Sequence, residues 1–219
     1  MDDRVRAEPQ SRRSRVIGKR RQSAMGCRFR ERYAIDRIRS TTPLTRFVAW
    51  GEGGPMNDLL TLAERSEFRQ TGRSDEVAAL CEALAARWPE AVHSFIYGRS
   101  AEGRPLRALI VSRCGSLTAA DLQARGIPLL MLQAGIHPGE SDGKDAGFIV
   151  LRDLLSATPA SDLLDQAAVL FVPAFNVDGH ERVGRWNRPN QNGPEETGWR
   201  ATAQNLNLNR DYMKADSPE

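Results

Sequence analysis

The chain has 219 residues, of which 40% are apolar and 27% charged, and a net charge of +3. That is the composition of a globular protein of one domain or little more. It excludes a collagen-like repeat, and three separated cysteines (Cys27, Cys81, Cys114) give neither a disulfide framework nor a CxxC metal clip. The longest apolar runs, 127–132 and 167–175, fall far short of the ~18 residues a membrane span needs. No apolar stretch follows the first arginines as it would in a secretory signal. As written, the chain is expected to be cytoplasmic and to have no membrane partner.

The small net charge conceals a division. Residues 1–50 carry 14 Lys/Arg against 5 Asp/Glu, whereas residues 51–219 carry 17 against 23. The basic quarter shows no helical or strand period, so residues 1–55 are expected to form a disordered N-terminal extension. A nucleic-acid-binding arm or an Arg-rich targeting segment is the functional reading of such a run. A solvated tail is the simpler one, and nucleic acid is not favoured as a partner. Met56 opens a more protein-like stretch, so the folded domain is expected over 56–219.

In chain order, Asn57 or Asp58 is placed to cap a short helix through Leu59, Leu60 and Leu62. Ser74 is placed as the N-cap of a longer helix in which Val77, Leu80, Cys81, Leu84 and Trp88 recur at helical spacing. Cys81 lies on that apolar stripe and reads as a small core residue. Strands follow at about 92–98 and 106–112, joined by a turn at 101–104. His93 starts the first strand without a partner motif and reads as structural or exposed. Residues 127–136 make a continuous apolar run, the pattern of a strand buried on both faces. A helix over 144–155 carries Phe148, Leu151 and Leu155 on one side and ends near Pro159, and 167–175 is a second buried strand. Two such strands with a helix between them imply a βαβ crossover. The expected class is α/β: a mixed, largely parallel sheet flanked by helices.

Ligands of open α/β sheets gather at the carboxyl ends of the strands. The first buried run leads into Gly135-Ile136-His137-Pro138-Gly139-Glu140, and the second into Asn176-Val177-Asp178-Gly179-His180. His137 and Glu140 are an imidazole and a carboxylate three residues apart, on a turn leading to a helix. Such a pair can reach one metal ion together, and zinc accepts these N and O donors. H-x-x-E alone is common by chance, and Glu140 at a helix entry is also favoured by the dipole. Its place directly after a buried strand favours the metal. Arg182, Arg185 and Arg188 follow, then Asn205-Leu206-Asn207-Leu208-Asn209-Arg210-Asp211-Tyr212.

In these motifs and their order, the chain resembles the zinc carboxypeptidase family over roughly residues 56–219. That family shows H-x-x-E after one strand, an Asn-Pro-Asp-Gly-like loop after the next, an arginine, then Asn-Arg; Val177 stands where it usually has Pro. The resemblance implies that His137 and Glu140 are ligands of Zn2+. It implies that Arg188, with Arg185 as the alternative, polarises the scissile carbonyl and stabilises the oxyanion. Asn209 and Arg210 match the pair that binds the substrate's terminal carboxylate, for which a guanidinium fork is well suited. Arg182 and Arg200 fit the surface of a long loop better. Asn207 stands where many relatives have an Asp that orients the first zinc histidine; an amide oxygen still accepts that N–H, raising ligand basicity less. His180 stands where an aromatic side chain is frequent and reads as pocket wall, with a metal contact as the alternative.

The family's third zinc ligand, a His after a later strand, and its general-base Glu have no counterpart before Glu219. The chain is therefore expected to be the N-terminal portion of a truncated catalytic domain, weakly active or inactive by itself. The implied function is that of a zinc metallocarboxypeptidase, which hydrolyses the C-terminal bond of a peptide with a free terminal carboxylate through zinc-activated water. A zinc amidohydrolase acting on small acyl-amino acids is one alternative. A non-catalytic binding protein with a nucleic-acid-binding basic tail is the other.

Overall fold

The apolar runs form a four-stranded sheet in the computed structural model, which describes residues 59–156 and 162–219. Residues 1–55, expected to form an extension, and Asn57 and Asp58, expected as caps, lie outside the described residues. Strands β1 (Val92–Arg99) and β2 (Pro105–Val111) are a hairpin, followed by β3 (Leu129–Gln133) and β4 (Ala168–Val172). The order is β1-β2-β4-β3. β2 runs antiparallel to β1 and to β4, while β3 runs parallel to β4. The sheet is mixed, with one parallel pairing to two antiparallel ones, and the parallel pair is the βαβ crossover.

Helices cover the sheet as their apolar stripes dictate. Helix α1 is Leu62–Arg65 and α2 is Ser74–Arg87, which buries Val77, Leu80, Cys81 and Leu84. Cys81 is fully enclosed, and burial pushes its thiol up to about 12, so it is an inert core residue. A short α3 (Ala119–Ala124) precedes β3. Helix α4 (Asp142–Leu155) turns Phe148, Leu151 and Leu155 inward. Phe148 meets Phe171 of β4 edge-on, with ring centroids 5.3 Å apart, a favoured aromatic geometry. Each of these side chains contributes roughly 1.5–3 kcal/mol by leaving water. Helices α5 (Leu163–Gln166) and α6 (Val177–Glu181) flank β4.

Three expectations are corrected. The run at 127–136 yields only a five-residue strand, and it is not buried on both faces: Leu129, Leu130 and Met131 are 40%, 56% and 55% exposed. The reason is position, since β3 is the last strand in the order and among the described residues has β4 as its only neighbour. Leu59 and Leu60 precede α1, whose cap is Thr61: its hydroxyl accepts from the Glu64 N–H while the Glu64 carboxylate accepts from the Thr61 N–H. Ser74 is the first helical residue of α2 and Arg73 its N-cap; the Ser74 N–H is taken up by Glu181, so the hydroxyl is not needed as a cap.

Polar seams tie the layers. Arg152 of α4 donates to both oxygens of Glu64 at 2.8 Å. The fully buried Lys144 pairs with Asp145 and Glu76, and Thr71 donates to Asp145 at 2.7 Å. Asp178 of α6 is fully buried and accepts from Ser100 Oγ at 2.7 Å, from the Glu102 N–H at 3.1 Å and from Arg104 at 2.6 Å. That carboxylate fastens the hairpin turn to the loop that follows β4.

Candidate active site

Two loops leave the ends of the parallel pair side by side. The Ala134 N–H donates to Val172, the Phe175 N–H to Ala134 and the Asn176 N–H to Gly135, at 2.8–3.0 Å. Gly135 takes φ +65°, and a Cβ there would stand 3.1 Å from the Ala174 Cα, so only glycine lets the loops run this close. The first loop closes as a turn through the Glu140 N–H to the His137 carbonyl at 2.8 Å. This buries the His137 ring and leaves the Glu140 side chain half-exposed.

His137 is held at both nitrogens. Nε2 lies 2.9 Å from Asn207 Oδ1 and Nδ1 lies 3.1 Å from Glu140 Oε1. Asn207 Oδ1 also accepts from the Asn209 N–H at 3.1 Å. An oxygen that only accepts requires Nε2 to carry a proton, and in the neutral ring this leaves the Nδ1 lone pair facing the Glu140 carboxylate. A lone pair and a carboxylate oxygen this close need a cation or a shared proton between them. That is the donor chemistry zinc takes from an imidazole and a carboxylate, with an amide oxygen orienting the ring from behind. Among the described residues, no cluster of three or more His, Cys, Asp or Glu is arranged to hold a metal, so the pair supplies two donors and no third.

Two guanidiniums converge on the same carboxylate oxygen. Arg188 Nη1 is 3.0 Å and Arg200 Nη1 3.9 Å from Glu140 Oε1. The Arg188 stem lies across Gly139, where a Cβ would come within 2.3 Å of its Cγ. Its Nε donates to Gln191 at 2.9 Å, and Gln191 donates back to the Gly139 carbonyl at 3.0 Å. Arg200 arrives because Asn176 Nδ2 donates to its carbonyl at 3.2 Å and the Trp199 N–H donates to the Gly179 carbonyl at 2.8 Å.

The structure therefore brings together His137, Glu140, Arg188 and Asn207. Arg185, the alternative to Arg188, lies over the Trp186 ring instead. Arg200, expected at the surface of a long loop, is exposed there and also reaches Glu140 at 3.9 Å. No feature of the local sequence marks it, because the amide that binds its carbonyl is that of Asn176, 24 residues earlier. Asn209 and Arg210 form a 3-10 turn at Leu208–Arg210, next to the Asn207 that anchors His137. Arg210 is exposed and donates to the Asn209 carbonyl; no hydrogen bond or ion pair joins it to His137 or Glu140. His180 is buried, and no hydrogen bond joins it to His137 or Glu140. Burial and then Lys144 push its pKa down to about 4, against smaller opposite pulls from Glu181 and the Gly72 backbone. It is a buried, neutral imidazole.

A family model described as zinc carboxypeptidase matches residues 77–218. The chain belongs to the zinc carboxypeptidase family. Within it, carboxypeptidase D of Mus musculus is 30% identical over 153 residues, covering 62% of this chain and 11% of that protein. Carboxypeptidase D of Homo sapiens is 28% identical over 171 residues, covering 68% and 12%. The chain spans about a tenth of the length of these curated relatives. Among solved structures, the metallo-carboxypeptidase from Burkholderia cenocepacia aligns with a TM-score of 0.48 at 24% identity, over 66% of this chain and 34% of that one. The family match spans the hairpin, the crossover and the whole His137–Arg210 region.

Proposed function

We propose that this chain carries part of the catalytic apparatus of a zinc metallocarboxypeptidase acting on peptides with a free C-terminal carboxylate. The observation that supports it most is His137, its tautomer held by Asn207, presenting Nδ1 to Glu140 under two arginines. His137 Nδ1 and Glu140 would hold Zn2+. Bound there, zinc supplies a Lewis acid that activates water and polarises the scissile carbonyl. Asn207 keeps the imidazole in the tautomer and orientation that ligation requires. Arg188 and Arg200 place positive charge where a tetrahedral oxyanion would form, and that charge counts most in the transition state. Asn209 and Arg210, on the turn beside Asn207, take the substrate's terminal carboxylate, the guanidinium fork by paired hydrogen bonds.

A third donor and a water-activating base do not stand with the pair among the described residues. The chain is read as a portion of a longer catalytic domain that holds zinc weakly and turns over slowly by itself. A missing general base alone costs roughly 10²–10⁴-fold in rate. The test compares hydrolysis of peptides with a free or an amidated C-terminus, with zinc added, by the full chain and by Arg210→Ala. Arg210→Ala should slow the free-acid peptide about 10- to 100-fold, the loss of a charge-assisted bidentate contact, and leave the amide unchanged. Equal slowing of both would remove the carboxylate clamp, and preferential cleavage of acyl-amino acids would reassign the site to an amidohydrolase.

A further inference from the structure

Arg188 has a second role in the surface. Besides holding Glu140, it lines an open cavity of about 740 Å³ beside the candidate site. Two exposed aromatic rings border this cavity: Trp186, 75% exposed, and Phe68, 60% exposed. Phe68 is held out in solvent by its backbone. It and Glu67 both have left-handed φ, 63° and 54°, and the Phe68 N–H is bonded to the Ala63 carbonyl at 2.6 Å. That conformation is disfavoured for a bulky side chain, so the surroundings must impose it.

Arg185 lies with its guanidinium carbon 5.4 Å from the centroid of the Trp186 ring. A guanidinium over an aromatic face keeps its in-plane N–H donors free, and these are the donors that grip a carboxylate in parallel pairs. The neighbouring arginines are already engaged: Arg182 with Glu102, Arg188 with Glu140, Arg69 with Glu67. Arg185 has no carboxylate partner among the described residues. Of the two acids that line the cavity, Glu196 is paired with Arg73; the Glu195 N–H donates to the Arg69 carbonyl, and no ion pair joins its carboxylate to Arg185.

We propose that Arg185, stacked on Trp186, selects an acidic side chain in the stretch of peptide that runs from the His137–Glu140 pair past Arg188. The proposal rests on the carboxypeptidase reading of that pair. Arg185 is a specificity residue and touches no reacting atom.

The experiment measures, by calorimetry at low salt, binding of acetylated pentapeptides to the full chain. The peptides carry Glu, Gln or Lys at the second and third positions from the C-terminal residue. The Glu peptide should bind about tenfold more tightly than the Gln peptide, with the advantage shrinking as salt rises. Arg185→Gln should abolish that advantage while leaving the Gln peptide's affinity and the thermal midpoint unchanged, since the side chain is exposed. Trp186→Leu should reduce the advantage by releasing the guanidinium. Equal binding of Glu and Gln peptides, tighter binding of the Lys peptide, a Glu advantage that survives Arg185→Gln, or no binding of any peptide would each overturn the proposal. An amidated C-terminus separates the two readings. Loss of binding on amidation without a Glu preference sinks the acidic subsite alone; a Glu preference indifferent to amidation leaves the subsite and sinks the exopeptidase reading.

Discussion

A neutral imidazole buried without a good hydrogen bond is tolerable only while it stays neutral, and His180 is in that position. Its pKa is about 4 in the fold against 6.5 for the free side chain. Between those values the unfolded chain binds a proton that the folded one does not. The stability is therefore whole above about pH 6.5 and is lost as pH falls toward 4, by up to roughly 3 kcal/mol. His180→Phe removes that loss and two unsatisfied nitrogens. The urea midpoint of the variant should exceed that of the parent by a margin that widens from pH 7 to pH 5; a constant margin would contradict the burial account. Its place after Asp178-Gly179 predicts a pocket wall; in the fold the ring is buried, and no hydrogen bond joins it to His137 or Glu140. Arg200 meets Glu140 for a non-local reason. Nothing local distinguishes it from other loop arginines, because what carries it to Glu140 is Asn176, 24 residues earlier.

At the scale of elements, the capping box at Thr61 shows what a local signal can and cannot reveal. Thr61-Leu62-Ala63-Glu64 has the T-x-x-E spacing of such a box, yet the three leucines around it favour an earlier start for the helix. The box also serves packing, because Glu64 is the partner of Arg152 on α4. Burial raises the Glu64 carboxyl's pKa, but the bonds from Arg152 and Thr61 outweigh it and hold it below the usual carboxylate value. Thr61→Ala should cost about 1–2 kcal/mol, read as a lower urea midpoint. A loss below about 0.3 kcal/mol would mean that Arg152 alone orders Glu64.

Strand β3 failed as a doubly buried strand for a physical reason. An apolar run reports that its side chains avoid water, and the neighbours that would cover them are set by topology, which is non-local. As the edge among the described residues, Leu129, Leu130 and Met131 present apolar side chains, with Pro128 just ahead of the strand and no charge within it. Leu130→Lys should lower concentration-dependent light scattering of the chain without lowering its urea midpoint. Unchanged scattering would show that this edge is not what associates.

Across the whole molecule, the fold and the candidate site were legible to different depths. The hairpin, the α2 stripe, the β3–α4–β4 crossover and the pairing of His137 with Glu140 follow from periodicity and from polar residues at strand ends, both local features. The balance of parallel and antiparallel pairing, the caps and the convergence of Arg188 and Arg200 follow from contacts between distant segments. The central claim is that His137 Nδ1 and Glu140 form one metal-binding pair with the ring held by Asn207. Cobalt substitution followed by its visible absorption bands, with zinc competing, tests it most directly on the full chain. The account predicts weak one-to-one binding, abolished by His137→Ala and by Glu140→Ala because each removes a donor. It predicts a further weakening of about 10- to 100-fold for Asn207→Leu and unchanged binding for Arg210→Ala. Metal binding that survives both His137→Ala and Glu140→Ala would contradict it.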